Sequence, residues 1–167
     1  FFLELGFSNT EIGTIAKLVG FPPIIIGGLF GGLLLAKTGI MRGLLISGIF
    51  MAASNLVFVL QSWVGYSQEM LAVTIAIENF TTSMGTVAFV AYLSSLCNIA
   101  YTATQYALLT SFMAFSRTVM TSGSGWVADQ VSWPVFFMLT TLAALPGLIL
   151  LVYMIRRFDQ APVQSPD

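Results

Sequence analysis

The sequence predicts an all-α membrane protein with five transmembrane helices, and three observations carry that prediction. Hydrophobic residues make up 57% of the chain and charged residues only 8%, against about 45–50% and about 25% in soluble domains. Mean hydropathy is +0.91. The apolar residues fall into stretches of roughly 20 or more, the length that crosses a bilayer, at about 10–36, 44–63, 70–97, 104–127 and 134–155. The same composition excludes other classes. A net charge of -1 provides no basic surface for nucleic acid, and the lack of His together with a single Cys97 removes zinc sites and disulfide frameworks. Neither metal nor cofactor is expected. No nucleophile with a base and no paired carboxylates stand out, so an enzyme is not expected either.

In chain order, Phe1 to Phe7, with residues 1–8 as a unit, reads as the tail of a preceding membrane helix and its outer turn. Ser8-Asn9-Thr10-Glu11 fits the S-x-x-E capping box, so a helix is predicted to start at Asn9. Between Ile12 and Ala36 only Lys17 is charged, and Pro22-Pro23 removes two backbone donors, which predicts one kinked span. Gly27, Gly28, Gly31 and Gly32 form two overlapping small-xxx-small pairs, a face for close helix packing. The 44–63 span is uncharged. A polar turn through Gln61, Ser62, Ser67, Gln68 and Glu69 leads to the 70–97 span, and a second turn holds Asn98, Tyr101 and Thr102. The 104–127 span is predicted to close at Ser122-Gly123-Ser124-Gly125, where glycine can take the left-handed conformation. Ser132 to Pro134 opens the last span, with a bend expected at Pro146-Gly147, and the Pro-, Gln- and Ser-containing tail 158–167 is expected to be disordered. The chain starts at Phe1 without the basic region or cleavage site of a signal peptide, and reads as part of a longer polypeptide.

The stretch from Met70 to Arg117 concentrates the candidate chemistry. Between Glu78 and Arg117 it carries no charge, so each of these ionisable groups lies in an apolar span and is a functional candidate by default. Counted at ~1.5 Å per residue from mid-span, Lys17 and Glu78 fall roughly 8 to 9 Å to the outer side and Arg117 roughly 2 Å. A lone ion there costs at least about 2.5–3.5 kcal/mol, so pairing or a wet cavity is expected. Asn79, Thr81, Thr82, Ser83, Ser116 and Thr118 can extend a polar network around them. Two readings of Glu78 and Arg117 stay open: a static bridge that fixes helix register, or groups on a substrate or proton pathway shared with Lys17 and Asn79.

The basic residues set the expected orientation. Lys37, Arg42, Arg156 and Arg157 all flank spans on one side, which is assigned to the cytoplasm together with the C-terminus. Glu4, Glu11, Glu69 and Asp129 gather on the other side.

Gly32-Leu33-Leu34-Leu35-Ala36-Lys37-Thr38-Gly39-Ile40-Met41-Arg42 has the G-x-L-x-x-[KR]-x-G-x-x-R spacing of the loop signature of major facilitator transporters, carried by Gly32, Leu34, Lys37, Gly39 and Arg42. Ala36 stands where that signature usually has an acid. Gly125-Trp126-Val127-Ala128-Asp129 echoes its start on the opposite side, as inverted-topology repeats do. GFSNTEIG, ENFTTSMGTVAFVAYLSSLCN, TATQYALLTSF and the GW-x6-W-x2-FF ending resemble the AmpG-type muropeptide permeases of the major facilitator superfamily. That resemblance implies the C-terminal half-bundle of a twelve-helix transporter. It also implies import of anhydro-muropeptides through the bacterial inner membrane, driven by protons. The expected partners are the lipid bilayer, a small-molecule glycopeptide substrate and the missing N-terminal half. The alternative is a truncated or split-gene remnant, or a non-transporting partner or anchor subunit, since five spans are too few to enclose a path.

Overall fold

The computed structural model of the protein describes residues 1–97 and 102–158, and every regular element among them is a helix. The elements are α1 (Asn9–Leu18), α2 (Phe21–Thr38), α3 (Ile40–Val64), α4 (Gln68–Leu96), α5 (Thr102–Gln130) and α6 (Trp133–Phe158). Four of them, α2, α3, α4 and α6, are long and apolar enough to cross a membrane. α5 has the length, at 29 residues, but carries Gln105, Arg117 and many Ser and Thr residues. By length and apolarity together, the predicted five spans therefore become four.

α4 is the centre of the bundle. It packs most extensively on α2 and α3, while α3 packs equally on α6, and α5 touches α4 and α6 at only a few places. The buried residues of α4, among them Leu71, Thr74, Ile75, Thr81, Met84, Gly85 and Ala88, recur three, four or seven apart, the spacing of one helical face. Elsewhere the large apolar side chains point outward, as with Leu29, Leu33, Phe112 and Ile149, which suits a lipid surround.

The first predicted span is two helices rather than one kinked helix. α1 starts at Asn9, where the Glu11 amide donates to Ser8 Oγ at 3.2 Å and the Ser8 amide to Glu11 Oε2 at 2.8 Å. It stops at Leu18, and α2 begins after Gly20 with Pro22 and Pro23 in its first turn. Two successive prolines cannot donate to the preceding turn, so the helix restarts at the position where missing donors cost least. Upstream, residues 1–8 form hydrogen-bonded turns rather than a helical tail, with Leu5 N donating to Phe1 O at 3.2 Å and Phe7 N to Phe2 O at 3.2 Å. Phe7 is buried against Leu71 and Ile75.

Two further expectations change. Gln61 is not in a polar turn but fully buried near the end of α3, where its amide donates to Gly65 O at 2.9 Å and its carbonyl accepts from the Thr74 hydroxyl at 3.1 Å. α5 does not close at Gly123 or Gly125 but runs on to Gln130, and the glycines with positive φ are Gly6, Gly39 and Gly65. Ser122 and Ser124 satisfy their hydroxyls on the carbonyls of Val119 and Thr121, which keeps this stretch within the helical ladder. Gly125 to Asp129, the echo of the loop signature, accordingly lies inside α5. α6 continues through Pro146 as one helix. Asn98, Tyr101 and most of the 158–167 tail lie outside the described residues.

The bundle has two chemically distinct ends. At one, Glu11 accepts from the Tyr66 hydroxyl at 2.5 Å and the Gln68 amide at 2.7 Å, and Glu4 accepts from the Trp133 indole at 2.5 Å beside a cluster of Phe1, Phe58 and Phe137. At the other are Lys37 and Arg42, beside the α2–α3 turn, and Arg156 and Arg157, in the last turn of α6.

Candidate functional site

Glu78 lies mid-way along α4, half-buried, on the wall of a cleft of about 460 Å³ between α3, α4 and α6. Ser54 and Asn55 of α3, Thr82 one turn along α4, and Gly147 and Leu148 of α6 share that wall. Asn55 and Thr82 reach it for a simple reason: Asn55 is one residue beyond the buried Ser54, and Thr82 follows Glu78 by four positions on the same helical face. Glu78 is the only ionisable group among the lining residues. Among the described residues, no hydrogen bond or ion pair holds the Glu78 carboxylate or the Asn55 amide. Ser54 by contrast returns its hydroxyl to Met51 O at 2.8 Å. The cleft therefore offers a carboxylate, an amide and hydroxyls in an otherwise apolar setting, a combination that can bind a proton or hydrogen-bond a polar ligand.

One residue further, α4 does something different. The Asn79 amide donates to Gly20 O at 3.1 Å and the Ser83 hydroxyl to Ile24 O at 2.7 Å, so both grip the backbone at the α1–α2 break. Asn79 is thus engaged across the helix interface and is not among the residues lining the Glu78 cleft. Close approach of α2 to α4 rests on the same side. A Cβ at Gly27 would collide with the Phe80 carbonyl, and one at Gly31 would sit 3.0 Å from Met84 O. At Gly28 it would meet Ser83 Oγ at 3.3 Å, whereas at Gly32 it would meet nothing within 4 Å. The tight contact therefore uses Gly27 and Gly31, with Gly28 at its edge and Gly32 outside it.

The two cations expected near Glu78 lie elsewhere. Lys17 is exposed in the last turn of α1, where a cation suits the helix C-terminus. Arg117 is exposed on the loosely packed α5, and neither it nor Lys17 lines the Glu78 cleft. In the 32–42 loop, Gly39 has φ 80° and breaks α2 from α3, a conformation that explains why glycine stands there. Leu34 accepts from the Thr38 hydroxyl at 2.8 Å, and Lys37 and Arg42 are both exposed.

Residues 1–166 match the sequence profile described as Major Facilitator Superfamily. The chain belongs to the major facilitator superfamily. A Rickettsia felis protein that carries the name AmpG 4 is 38% identical over 159 residues, which cover 95% of this chain and 38% of the relative. The anhydromuropeptide permease of Escherichia coli K12 is 38% identical over 148 residues, covering 89% of this chain and 30% of that protein. The chain thus spans well under half the length of these relatives. Helices apolar enough to cross a membrane and membership of a transporter superfamily make it a multi-pass membrane protein.

Within this superfamily member, sequence reasoning missed Asn55 and Gly147 as partners of Glu78. Asn55 had a signal of its own, being an amide side chain in the middle of an uncharged span. Gly147 had none beyond its proline neighbour. Its place opposite Glu78 follows only from how α3 and α6 pack, with a Cβ at Gly48 approaching Leu148 Cδ2 to 2.9 Å.

Proposed function

We propose that this segment is part of a proton-driven secondary transporter that imports anhydro-muropeptides across the bacterial inner membrane, with its basic end facing the cytoplasm. The observation that carries the reading is the Glu78 cleft. A carboxylate within a membrane-spanning helix, with no cation among the residues that line its cleft and room for a ligand, is suited to take up and release a proton as the cleft changes its exposure to water. Asn55 and Thr82 orient the hydroxyl and amide groups of a glycopeptide, while Lys17 and Arg117 are exposed on other faces, away from this cleft. The substrate class is supported by the name of the Escherichia coli relative. The remaining length of such a transporter supplies the opposite wall of the path.

The test uses the full-length transporter carrying this segment, reconstituted in vesicles. Glu78→Gln is expected to abolish proton-driven accumulation of an anhydro-muropeptide while sparing downhill exchange, because the lost group carries the proton. Normal accumulation by this variant would rule out the coupling role. Accumulation and exchange lost together, with the protein folded, would move Glu78 from proton coupling to substrate binding.

A further inference from the structure

We propose that a second cleft, at the basic end of the bundle, binds the phosphodiester headgroup of an anionic membrane lipid. This cleft has a volume of about 570 Å³ and forms where the α2–α3 turn, the last turns of α4 and the end of α6 meet. Thr38, Arg42, Tyr92, Ser95 and Ile155 line it, and it shares no lining residue with the Glu78 cleft.

Charge is the first argument for an anion. Four of the six Lys and Arg residues, Lys37, Arg42, Arg156 and Arg157, stand at this end. The described acids lie away from it: Glu4, Glu11 and Glu69 belong to the opposite end, Glu78 lines the other cleft and Asp129 is in the last turn of α5. Asp159 and Asp167 fall beyond the described residues. α3 also begins in the cleft, at Ile40, and the unpaired amides of a helix start add partial positive charge. Arg42 engages a further group of its own, so its guanidinium is not counted as vacant.

Donor chemistry and the surroundings narrow the anion to a lipid. The Thr38 and Ser95 hydroxyls donate to Leu34 O at 2.8 Å and Tyr92 O at 2.6 Å, while the Tyr92 hydroxyl has no partner among the described residues and is available to a phosphate oxygen. Arg157 donates to the Tyr153 hydroxyl at 3.1 Å, which holds its charge at the end of α6. Exposed Leu33 and Leu96, on α2 and α4, give acyl chains an apolar surface at this end of the bundle. A free inorganic phosphate would gain nothing from them. Basic groups at a membrane surface attract anionic lipid by about a factor of five each.

The experiment measures lipid retained by the full-length transporter, purified from mixed phosphatidylglycerol and phosphatidylcholine, by native mass spectrometry. Phosphatidylglycerol is expected to be retained about fivefold over phosphatidylcholine, the preference one basic contact supplies. Arg42→Gln, and independently Ser95→Phe, which fills the cleft without touching a cation, should remove that preference, while Lys17→Gln at the far end should leave it. Equal retention of the two lipids, a preference surviving both cleft variants, or loss of bound phosphatidylglycerol on adding inorganic phosphate would each overturn the proposal.

Discussion

Glu78 and Asn79 are neighbours in sequence, yet α4 sends them into opposite circumstances. About 100° of helical turn separates them. Asn79, together with Ser83 one turn on, fastens to carbonyls at the α1–α2 break. Glu78, together with Thr82, opens onto a cleft where no side chain among the described residues holds it. The difference teaches how a polar residue in a membrane helix is assigned its work. Where a neighbouring helix is broken by Gly20, Pro22 and Pro23, exposed backbone groups consume the polar side chain, and it becomes structural. Where the neighbouring helix is unbroken, as α3 is beside Glu78, its backbone groups are already paired and the side chain is left for a ligand.

The largest effect is expected on the Asn79 side, at its glycines. Gly31→Leu would drive a branched side chain against the Met84 backbone, and Gly27→Leu against the Phe80 carbonyl. Overpacking against backbone that cannot swing aside should cost about 3 kcal/mol, the upper end of the usual range. Either variant of the full-length transporter should lose most of its folded yield in detergent, measured by size-exclusion chromatography. Gly32→Leu, where a Cβ meets nothing within 4 Å, should fold as well as the parent. Equal yields for Gly31→Leu and Gly32→Leu would remove the distinction between the two sides of the α2 glycine stripe.

The next effect compares the neighbours directly. Asn79→Leu removes the donor to Gly20 O and should lower stability by about 0.6–1.7 kcal/mol, the range found for hydrogen bonds between membrane helices. Glu78→Gln removes no protein contact and should leave the thermal midpoint nearly unchanged while altering transport. A midpoint that falls as far for Glu78→Gln as for Asn79→Leu would mean that Glu78 is also structural, and the contrast between the two faces would be lost.

Much of this was legible in the residues. The Ser8 to Glu11 capping box located the start of α1, and the small-xxx-small spacing pointed to a tight face because both patterns are local and need no knowledge of neighbours. The wall that Glu78 shares was not legible. A lone Glu in an apolar span signals importance, but which way it faces depends on how α3 and α6 dock, and Asn55 has no motif to link it across 23 positions of chain to Glu78. The proline pair announced a distortion without saying whether the helix would bend or stop, because that depends on whether another helix can satisfy the freed carbonyls. Asn79 and Ser83 instead donate to the nearby carbonyls of Gly20 and Ile24, on either side of the prolines. Gln61 was misplaced for a related reason. A polar residue at a span's end looks like a turn until the Thr74 hydroxyl of the next helix is seen donating to its side-chain carbonyl in the interior.

The smallest effect sharpens the comparison with a third acid. Glu11 is the opposite of Glu78: an exposed carboxylate at the other end of the bundle with every partner supplied. The Tyr66 hydroxyl first, then the Ser8 amide and hydroxyl and the Gln68 amide, hold its pKa at about 2, below an ordinary value of 4.5. A carboxyl depressed on folding binds its proton more weakly in the folded state, so its stabilising contribution is complete above the ordinary value and disappears as pH falls toward 2. Because the group is exposed, solvent screens the interaction and the effect on the whole protein is small. The thermal midpoint of the purified full-length transporter should therefore fall slightly more between about pH 6 and about pH 3 than that of Glu11→Gln, which has no carboxyl to protonate. Tyr66→Phe, which removes the leading partner, should shrink that pH-dependent difference by lowering the midpoint slightly at neutral pH, while the acid-side midpoint stays closer to the parent's. Identical pH slopes for the parent and Glu11→Gln would show that this latch between α1 and the α3–α4 turn contributes nothing, and that a fully partnered acid at the bundle's end is no better placed than the open one at its centre.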